Sequence, residues 1–222
     1  MANALAYEIE HLEPPFWWSG MEIGQLQLMV HGKNISYLQP AIDQEGVDIV
    51  SVNRSKNNNY LFIDLSIEKT VKGSFDILFT RLGKVEAEYE YVLHERKKGS
   101  RERDGFDPSD VIYLITPDRY ANGDPNNDSV SGLKERVRRK NKDGRHGGDI
   151  QGIIDRLDYL EQMGFTQIWL NPVLENDQRT YSYHGYSTTD YYNIDRRYGN
   201  NELYRELSKK ARERDIGVIK DL

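Results

Sequence analysis

The chain has 222 residues, with 30 basic and 36 acidic side chains and a formal net charge of −6. This balance gives no general attraction to nucleic acid or to an anionic membrane surface. The absence of cysteine excludes disulfides, thiolate nucleophiles and zinc-thiolate sites. No apolar run approaches the roughly 20 residues that a membrane-spanning helix needs.

Residues 1–95 are predicted to form an immunoglobulin-like β-sandwich domain. Short segments with strand-like patterns follow one another, and no helical pattern lies between them. In the last of these segments alternate residues are apolar, as a half-buried strand requires. The predicted strands are Gln25–His31, Asp48–Val52, Tyr60–Ile67, Phe75–Arg81 and Lys84–Glu95.

The charged stretch that follows, residues 96–109, is predicted to be a linker. It contains almost nothing to bury, and its basic residues alternate with acidic ones. A solvated linker is therefore favoured over the alternative, a basic binding patch.

From residue 110 onward the pattern alternates between strand and helix, which predicts a parallel sheet. The run Val111–Ile115 is continuously apolar, as a parallel strand buried on both faces should be. A helical stripe from Ile150 to Met163 is expected to begin at Asp149 as its cap and to end at Gly164. The remaining predicted elements are the strand Gln167–Leu170, the helix Glu202–Asp215 and the strand Gly217–Leu222.

Two connections in this half, residues 118–148 and 171–199, are too long for plain turns. Connections between strands and helices usually have about 2–6 residues, and loops beyond about 15 residues are usually functional or disordered. Both connections follow the carboxyl end of a predicted parallel strand, where such sheets build their sites. The candidate chemistry is therefore expected in these two loops.

The first loop is dense in oxygen ligands between Asn122 and Asp128, and Gly147–Asp149 offers a further carboxylate and a backbone carbonyl. Such a set suits a hard cation such as Ca²⁺, which takes roughly 6–8 oxygens. Asn, Asp, Gly and Pro are also ordinary turn residues, so a plain turn is the alternative.

The second loop carries aromatic residues beside a histidine and a carboxylate, in Tyr181–Tyr186 and Asp190–Tyr192. Aromatic faces and hydrogen-bonding groups of this kind suit a sugar, whose ring offers CH groups and hydroxyls. The alternative is a tyrosine-rich loop that folds on itself, in which His184 makes a structural hydrogen bond.

Taken in order, the motifs of this half resemble the start of the catalytic barrel of the α-amylase family of glycoside hydrolases. The subgroup they are most similar to contains neopullulanases, cyclomaltodextrinases and maltogenic amylases. The segments Glu13–Trp18 and Gln25–Val30 resemble the N-terminal sandwich of Bacteroides-type neopullulanases. The motifs that carry the resemblance are Tyr113–Asp128, Gly147–Asp149, Ile168–Pro172, Tyr183–Tyr186 and Asp190–Tyr192.

The resemblance implies that residues 110–222 are the truncated start (β-α-β-α-β) of a (β/α)8 TIM barrel, and it assigns roles to matched positions. It implies that His184 and Tyr186 bind substrate and that Asp221, on the third strand, supports the active site structurally. It also implies a structural calcium ion, held by Asn122, Asp124, Asn127, Asp128, Gly147 and Asp149.

The resemblance further implies a retaining hydrolase of α-1,4-glucosidic bonds in cyclodextrins, pullulan or maltooligosaccharides, active in full length as a homodimer. The family's catalytic Asp, Glu and Asp lie after the third strand, so no catalytic residue is expected in this chain and it should be inactive alone. The alternative is a non-catalytic carbohydrate-binding or dimerisation module. The resemblance favours the periplasm, whereas Met1–Leu12 shows no signal-peptide pattern, which leaves the cytoplasm as the alternative.

Overall fold

The structure is a computed structural model that describes residues 7–100, 102 and 105–221. The chain separates into two compact units, Met1–Arg103 and Asp104–Leu222. Parts of the predicted sandwich (1–6), of the predicted linker (101, 103 and 104) and of the predicted third strand (222) lie outside the described residues. The boundaries that the sequence suggested, after residues 95 and 109, stay predictions.

The first unit consists of two four-stranded sheets. One sheet has the order β1-β3-β6-β5 and the other β2-β8-β7-β4; all neighbours are antiparallel except β2 and β8, which run parallel. The strands are β1 (His11–Glu13), β2 (Trp17–Trp18), β3 (Gln25–His31), β4 (Gln39–Ile42), β5 (Val47–Arg54), β6 (Tyr60–Ile67), β7 (Gly73–Arg81) and β8 (Lys84–His94).

One hydrophobic core takes side chains from both sheets. Its residues alternate along the strands: Leu26, Leu28 and Val30 of β3 are buried, whereas the alternate residues Gln25 and Gln27 are exposed. Phe75, Ile77 and Phe79 of β7 repeat the pattern in the second sheet and belong to the same core. The buried residues of β3 and β7 follow the alternation that the sequence shows, and the strands predicted at these positions are confirmed.

In the first unit, the sequence analysis missed three short strands, β1, β2 and β4. Each has two to four residues, which is too few for a period-two pattern to stand out. β4 also contains Pro40, which lacks a backbone donor; it is accommodated because β4 lies at the edge of its sheet.

The second unit is built on a three-stranded parallel sheet with the order β13-β10-β9. A short antiparallel pair, β11 with β12, lies in the connection after β10. The strands are β9 (Ile112–Ile115), β10 (Gln167–Leu170), β11 (Leu174–Glu175), β12 (Asp190–Ile194) and β13 (Gly217–Lys220). The eight-stranded barrel that the resemblance implies stays a prediction.

The helices of this unit are α1 (Pro117–Tyr120), α2 (Ile150–Ile154), α3 (Leu157–Gln162) and α4 (Asn201–Arg212). Asp149 caps α2 as predicted, since its side chain accepts a hydrogen bond from the Gly152 amide. The single helix expected over residues 150–163 is wrong, however. A tight turn, in which the Arg156 amide donates to the Ile153 carbonyl, separates α2 from α3. No helix in the described part of the chain is long and apolar enough to span a membrane.

The parallel sheet is covered on one face only among the described residues. Ile115, Ile168 and Leu170 pack into a core with the helices. On the other face Ile112, Leu114 and Trp169 are 39%, 53% and 40% exposed. The prediction that β9 is buried on both faces is therefore wrong, because all the helices that pack on the sheet contact the same face.

Candidate functional site

The turn that carries His184 and Tyr186 has a demanding backbone. Ser182–His184 form a single 3-10 turn, flanked by Tyr181 at φ 62° and Gly185 at φ 84°. A Cβ atom on Gly185 would lie 2.1 Å from the carbonyl oxygen of Pro172. Only glycine permits both the positive φ and this close approach, so the turn is fixed against the segment that follows β10.

His184, Tyr186 and Asp221, which the sequence analysis assigned to one site, lie together. The Tyr186 amide donates to His184 Nδ1 at 2.9 Å, and the two rings stack with centroids 5.8 Å apart. The Tyr186 hydroxyl donates to Asp221 Oδ2 at 2.7 Å. Asp221 follows directly after β13, and its amide donates to the Leu170 carbonyl of β10.

These contacts define what the group can do chemically. Because Nδ1 of His184 accepts a hydrogen bond, the proton of the neutral ring lies on Nε2, which is then a donor. The hydrogen bond to Asp221 raises the pKa of Tyr186, so the phenol stays protonated. The Tyr186 side chain is 55% exposed. An exposed aromatic face beside one N–H donor and one carboxylate can bind a sugar ring and its hydroxyls.

Of the other tyrosines of this loop, Tyr183 meets the His184 ring edge to face, with centroids 5.7 Å apart. Tyr183 lies against Arg119, whose guanidinium carbon is 4.0 Å from the ring centroid, and its carbonyl accepts a hydrogen bond from Tyr198. Tyr191 and Tyr192 lie on β12 and are 70% and 54% exposed.

A buried ion pair, which the sequence analysis missed, supports the same loop. Arg197 donates to both carboxylate oxygens of Asp195, at 2.9 and 2.6 Å, and to the carbonyls of Glu135 and Asn176. Burial by itself raises the pKa of Asp195, but the hydrogen bonds from Arg197 and the charges of Arg145 and Arg197 outweigh it and hold that pKa below its ordinary value. Asp195 is thus a structural ion-pair partner.

In the candidate cation loop, Asp149 makes more bonds than a helix cap needs. Besides Gly152, it accepts the backbone amides of Gly123 and Asp124, at 3.0 and 2.8 Å, and the side-chain amide of Asn127 at 3.0 Å. Asp149 is fully buried. Its carboxylate therefore ties the loop to the start of α2.

The remaining candidate ligands lie close to one another. Asp128 accepts hydrogen bonds from Asn122 at 2.6 Å and from Arg139 at 2.7 Å. A Cβ atom on Gly147 would lie 2.1 Å from Asp128 Oδ1, so the backbone at Gly147 approaches that carboxylate. The side-chain oxygen of Asn127 is buried and has no hydrogen-bond partner among the described residues.

This oxygen set fits a hard cation by its chemistry: carboxylate, amide and backbone oxygens without nitrogen or sulfur ligands. The unpartnered Asn127 oxygen is an acceptor that a cation would satisfy. A group of three or more His, Cys, Asp and Glu side chains at metal-binding distance does not occur in the part of the chain that is described. The loop relies on amide and backbone oxygens as well as carboxylates, and the ion stays a prediction.

Comparison with known proteins gives two family matches. Residues 11–97 match the model described as "Cyclomaltodextrinase, N-terminal", and residues 114–222 match "Alpha amylase, catalytic domain". The β/α-amylase of Paenibacillus polymyxa is 45% identical over 113 residues, or 50% of this chain and 9% of that protein. Neopullulanase 2 of Thermoactinomyces vulgaris is 41% identical over 113 residues, or 50% of this chain and 18% of that protein.

The chain thus spans 9% to 18% of the length of these curated relatives. Among solved structures, an Anoxybacillus α-amylase has 42% identity and a TM-score of 0.46 over 51% of this chain and 23% of that one. Other relatives are named as periplasmic or intracellular amylases. The two matched regions cover both structural units, and on that ground the chain belongs to the α-amylase family of glycoside hydrolases, with the N-terminal domain of its cyclomaltodextrinases.

Proposed function

We propose that the full-length protein hydrolyses α-1,4-glucosidic bonds in cyclodextrins, pullulan or maltooligosaccharides, and that this chain supplies part of the glucan-binding surface. The observation that carries the proposal is the group of His184, Tyr186 and Asp221 at the carboxyl ends of β10 and β13. Parallel sheets of this kind place their sites at that end. The names of the matched families and relatives supply the substrate class.

The proposal assigns the catalytic carboxylates to the part of the catalytic domain that follows residue 222. A retaining glycosidase needs two carboxyl groups about 5–5.5 Å apart, one as nucleophile and one as acid and base. Asp195 is committed to Arg197, and Asp190 accepts hydrogen bonds from Asn193 and from the Tyr192 amide. Tyr186 and His184 would stack against and hydrogen-bond the sugar that those carboxylates attack.

The test is a titration of the 222-residue chain with maltotriose, followed by NMR and combined with an assay of hydrolysis. We expect weak binding that Tyr186→Ala reduces by about two- to tenfold, because an aromatic contact contributes about 0.5–1.5 kcal/mol. Tyr159→Ala is the matched control, since Tyr159 is 53% exposed on α3, outside the loop. Binding that Tyr186→Ala leaves unchanged would contradict the site, and hydrolysis above background would contradict the expected inactivity of the chain.

The second candidate function, a non-catalytic carbohydrate-binding or dimerisation module, is favoured by an aromatic group on the first unit. Phe16 and Trp18 are 37% and 38% exposed, and the Phe16 ring meets the rings of Trp18 and His94 edge to face. The Trp18→Ala variant is therefore titrated with maltotriose in the same way as Tyr186→Ala. Loss of maltotriose binding in Trp18→Ala, with Tyr186→Ala unaffected, would favour this candidate over the first.

The proposal includes a structural calcium ion, because the loop around Asp128 fits one. Asn122, Asp124, Asn127 and Asp128 would supply side-chain oxygens, and Gly147 a backbone carbonyl. Asp149 already accepts four hydrogen bonds, so its part would be to hold the loop in place around the ion. The ion would supply rigidity to a loop that has little secondary structure of its own.

Compartment and assembly are proposed on the resemblance. We propose the periplasm, as for Bacteroides-type neopullulanases, with the cytoplasm as the alternative. We also propose a homodimer for the full-length enzyme.

A further inference from the structure

The turn that carries His184 is held at one buried residue, Ser182. Its backbone amide donates to Glu135 Oε2 at 2.7 Å, and its hydroxyl accepts a hydrogen bond from Arg145 Nη1 at 3.2 Å. Ser182 and Arg145 are fully buried, and Glu135 is 6% exposed. Glu135 and Arg145, two buried charged residues of the first long loop, thus both hydrogen-bond to Ser182 of the second loop.

The next residue is held as well. The Tyr198 hydroxyl donates to the carbonyl of Tyr183 at 2.7 Å, and the Arg145 guanidinium lies over the Tyr198 ring, 4.6 Å from its centroid. Arg145 therefore contacts both Ser182, in the turn, and Tyr198, whose hydroxyl binds the carbonyl of Tyr183. Gly185 follows against Pro172, so His184 and Tyr186 project from a backbone that is constrained on both sides.

Arg145 has a buried anionic partner but leaves most of its hydrogen-bond donors unused. Its Nε forms an ion pair with Asp118 Oδ1 at 3.7 Å, a separation too long for a hydrogen bond. Its Nε and Nη2 have no hydrogen-bond partner in the described part of the chain. Burying a guanidinium with unused donors is unfavourable, whereas its bond to Ser182 is geometrically specific.

We propose that Glu135 and Arg145 are positioning residues for the sugar-binding pair His184 and Tyr186. By holding Ser182, they keep the Tyr186 amide within reach of His184 Nδ1 and the Tyr186 hydroxyl within reach of Asp221. A turn fixed in its binding geometry does not lose further conformational entropy when the sugar binds. The identity of the ligand as an α-glucan oligosaccharide rests on the proposed function. The contacts that hold Ser182 are independent of it.

The test compares Glu135→Ala with Glu135→Gln in the 222-residue chain. Glutamine keeps a side-chain oxygen for the Ser182 amide, and alanine does not. We expect Glu135→Ala to speed hydrogen exchange of the Tyr186 amide at least tenfold and to raise the dissociation constant for maltotriose at least fivefold. Glu135→Gln should stay within twofold of the original chain in both measurements.

The control for lost stability is Leu160→Ala, which truncates a fully buried core residue of α3. It should lower the melting temperature without changing Tyr186 exchange under native conditions. If Leu160→Ala reproduces both effects, or if Glu135→Ala produces neither, the proposal is overturned.

Should Glu135→Ala fail to fold, Ser182→Ala tests the positioning role of Arg145. This substitution removes only the hydroxyl that Arg145 contacts. Faster Tyr186 exchange supports the proposal, and unchanged exchange overturns it. The exchange measurement needs no ligand. If the original chain does not bind maltotriose, the proposed function fails for this site, whereas the exchange data still decide the positioning role.

Discussion

At the scale of single residues, buried and exposed ion pairs of the second unit should differ sharply in their contribution to stability. Asp195→Asn leaves Arg197 buried without its anion, so we expect the free energy of unfolding to fall by about 3–5 kcal/mol. Asp158→Asn is the control, because Asp158 pairs with Arg214 at 2.7 Å but its side chain is 73% exposed; it should cost at most about 1 kcal/mol. Urea unfolding of both variants measures the difference, and equal losses would contradict it.

The same ion pair gives a pH dependence with a definite sign. The pKa of Asp195 in the folded chain lies below the ordinary 3.8. Its contribution to stability is therefore fully present above that ordinary value, and it is lost as the pH falls through the folded pKa. The gap in unfolding free energy between the original chain and Asp195→Asn should narrow in that acidic range. A gap that stays constant down to that range would argue against the assignment.

Single residues of the candidate site were predictable from sequence only where the signal is local. His184 and Tyr186 stand two positions apart in an aromatic motif, and Asp221 lies in the predicted strand Gly217–Leu222, where the resemblance implied its role. Glu135 and Arg145 lie 47 and 37 positions before Ser182. Only the tertiary fold brings such distant positions together, and neither residue belongs to a pattern that predicts burial.

At the scale of elements, periodicity predicted the longer strands and failed for the short ones. Gln25–His31, Tyr60–Ile67 and Gln167–Leu170 agree with the structure to the residue, since each shows several apolar positions that pack into a core. β1, β2 and β4 are edge strands of two to four residues, too short to show several alternating apolar positions. The break between α2 and α3 preserves the apolar stripe, so periodicity could not reveal it.

The loop between β9 and α2 carries the calcium prediction. An ion that binds only the folded chain stabilises it, by about 2.7 kcal/mol at a concentration 100-fold above its dissociation constant. We therefore expect added Ca²⁺ to raise the melting temperature of the second unit and a chelator to reverse the rise. Asp128→Asn should abolish the shift.

Asp143→Asn is the matched control, because Asp143 lies in the same loop outside the candidate ligand set. It should leave the shift intact. An equal melting temperature with calcium and with chelator in the original chain would count against the ion.

At the scale of the whole molecule, the two units should separate under a protease. Residues 95–99 are exposed and without regular structure, and they include the trypsin targets Arg96, Lys97 and Lys98. Strand residues are held by ladders of hydrogen bonds, so we expect the first cuts here, with a resistant fragment that retains β3 to β8. Mass spectrometry identifies the fragment, and early cleavage within residues 60–90 would disprove the predicted domain boundary.

The half-covered parallel sheet also gives the chain an optical property. Trp169 sits in register with Leu114 on one side and Ile219 on the other, in a row that water reaches. Indole emission moves to shorter wavelength when the ring leaves water. With Trp17 and Trp18 replaced by Phe, Trp169 is the only remaining indole of the three in the chain. The wavelength of its emission maximum then reports whether the exposed face of the parallel sheet has been covered.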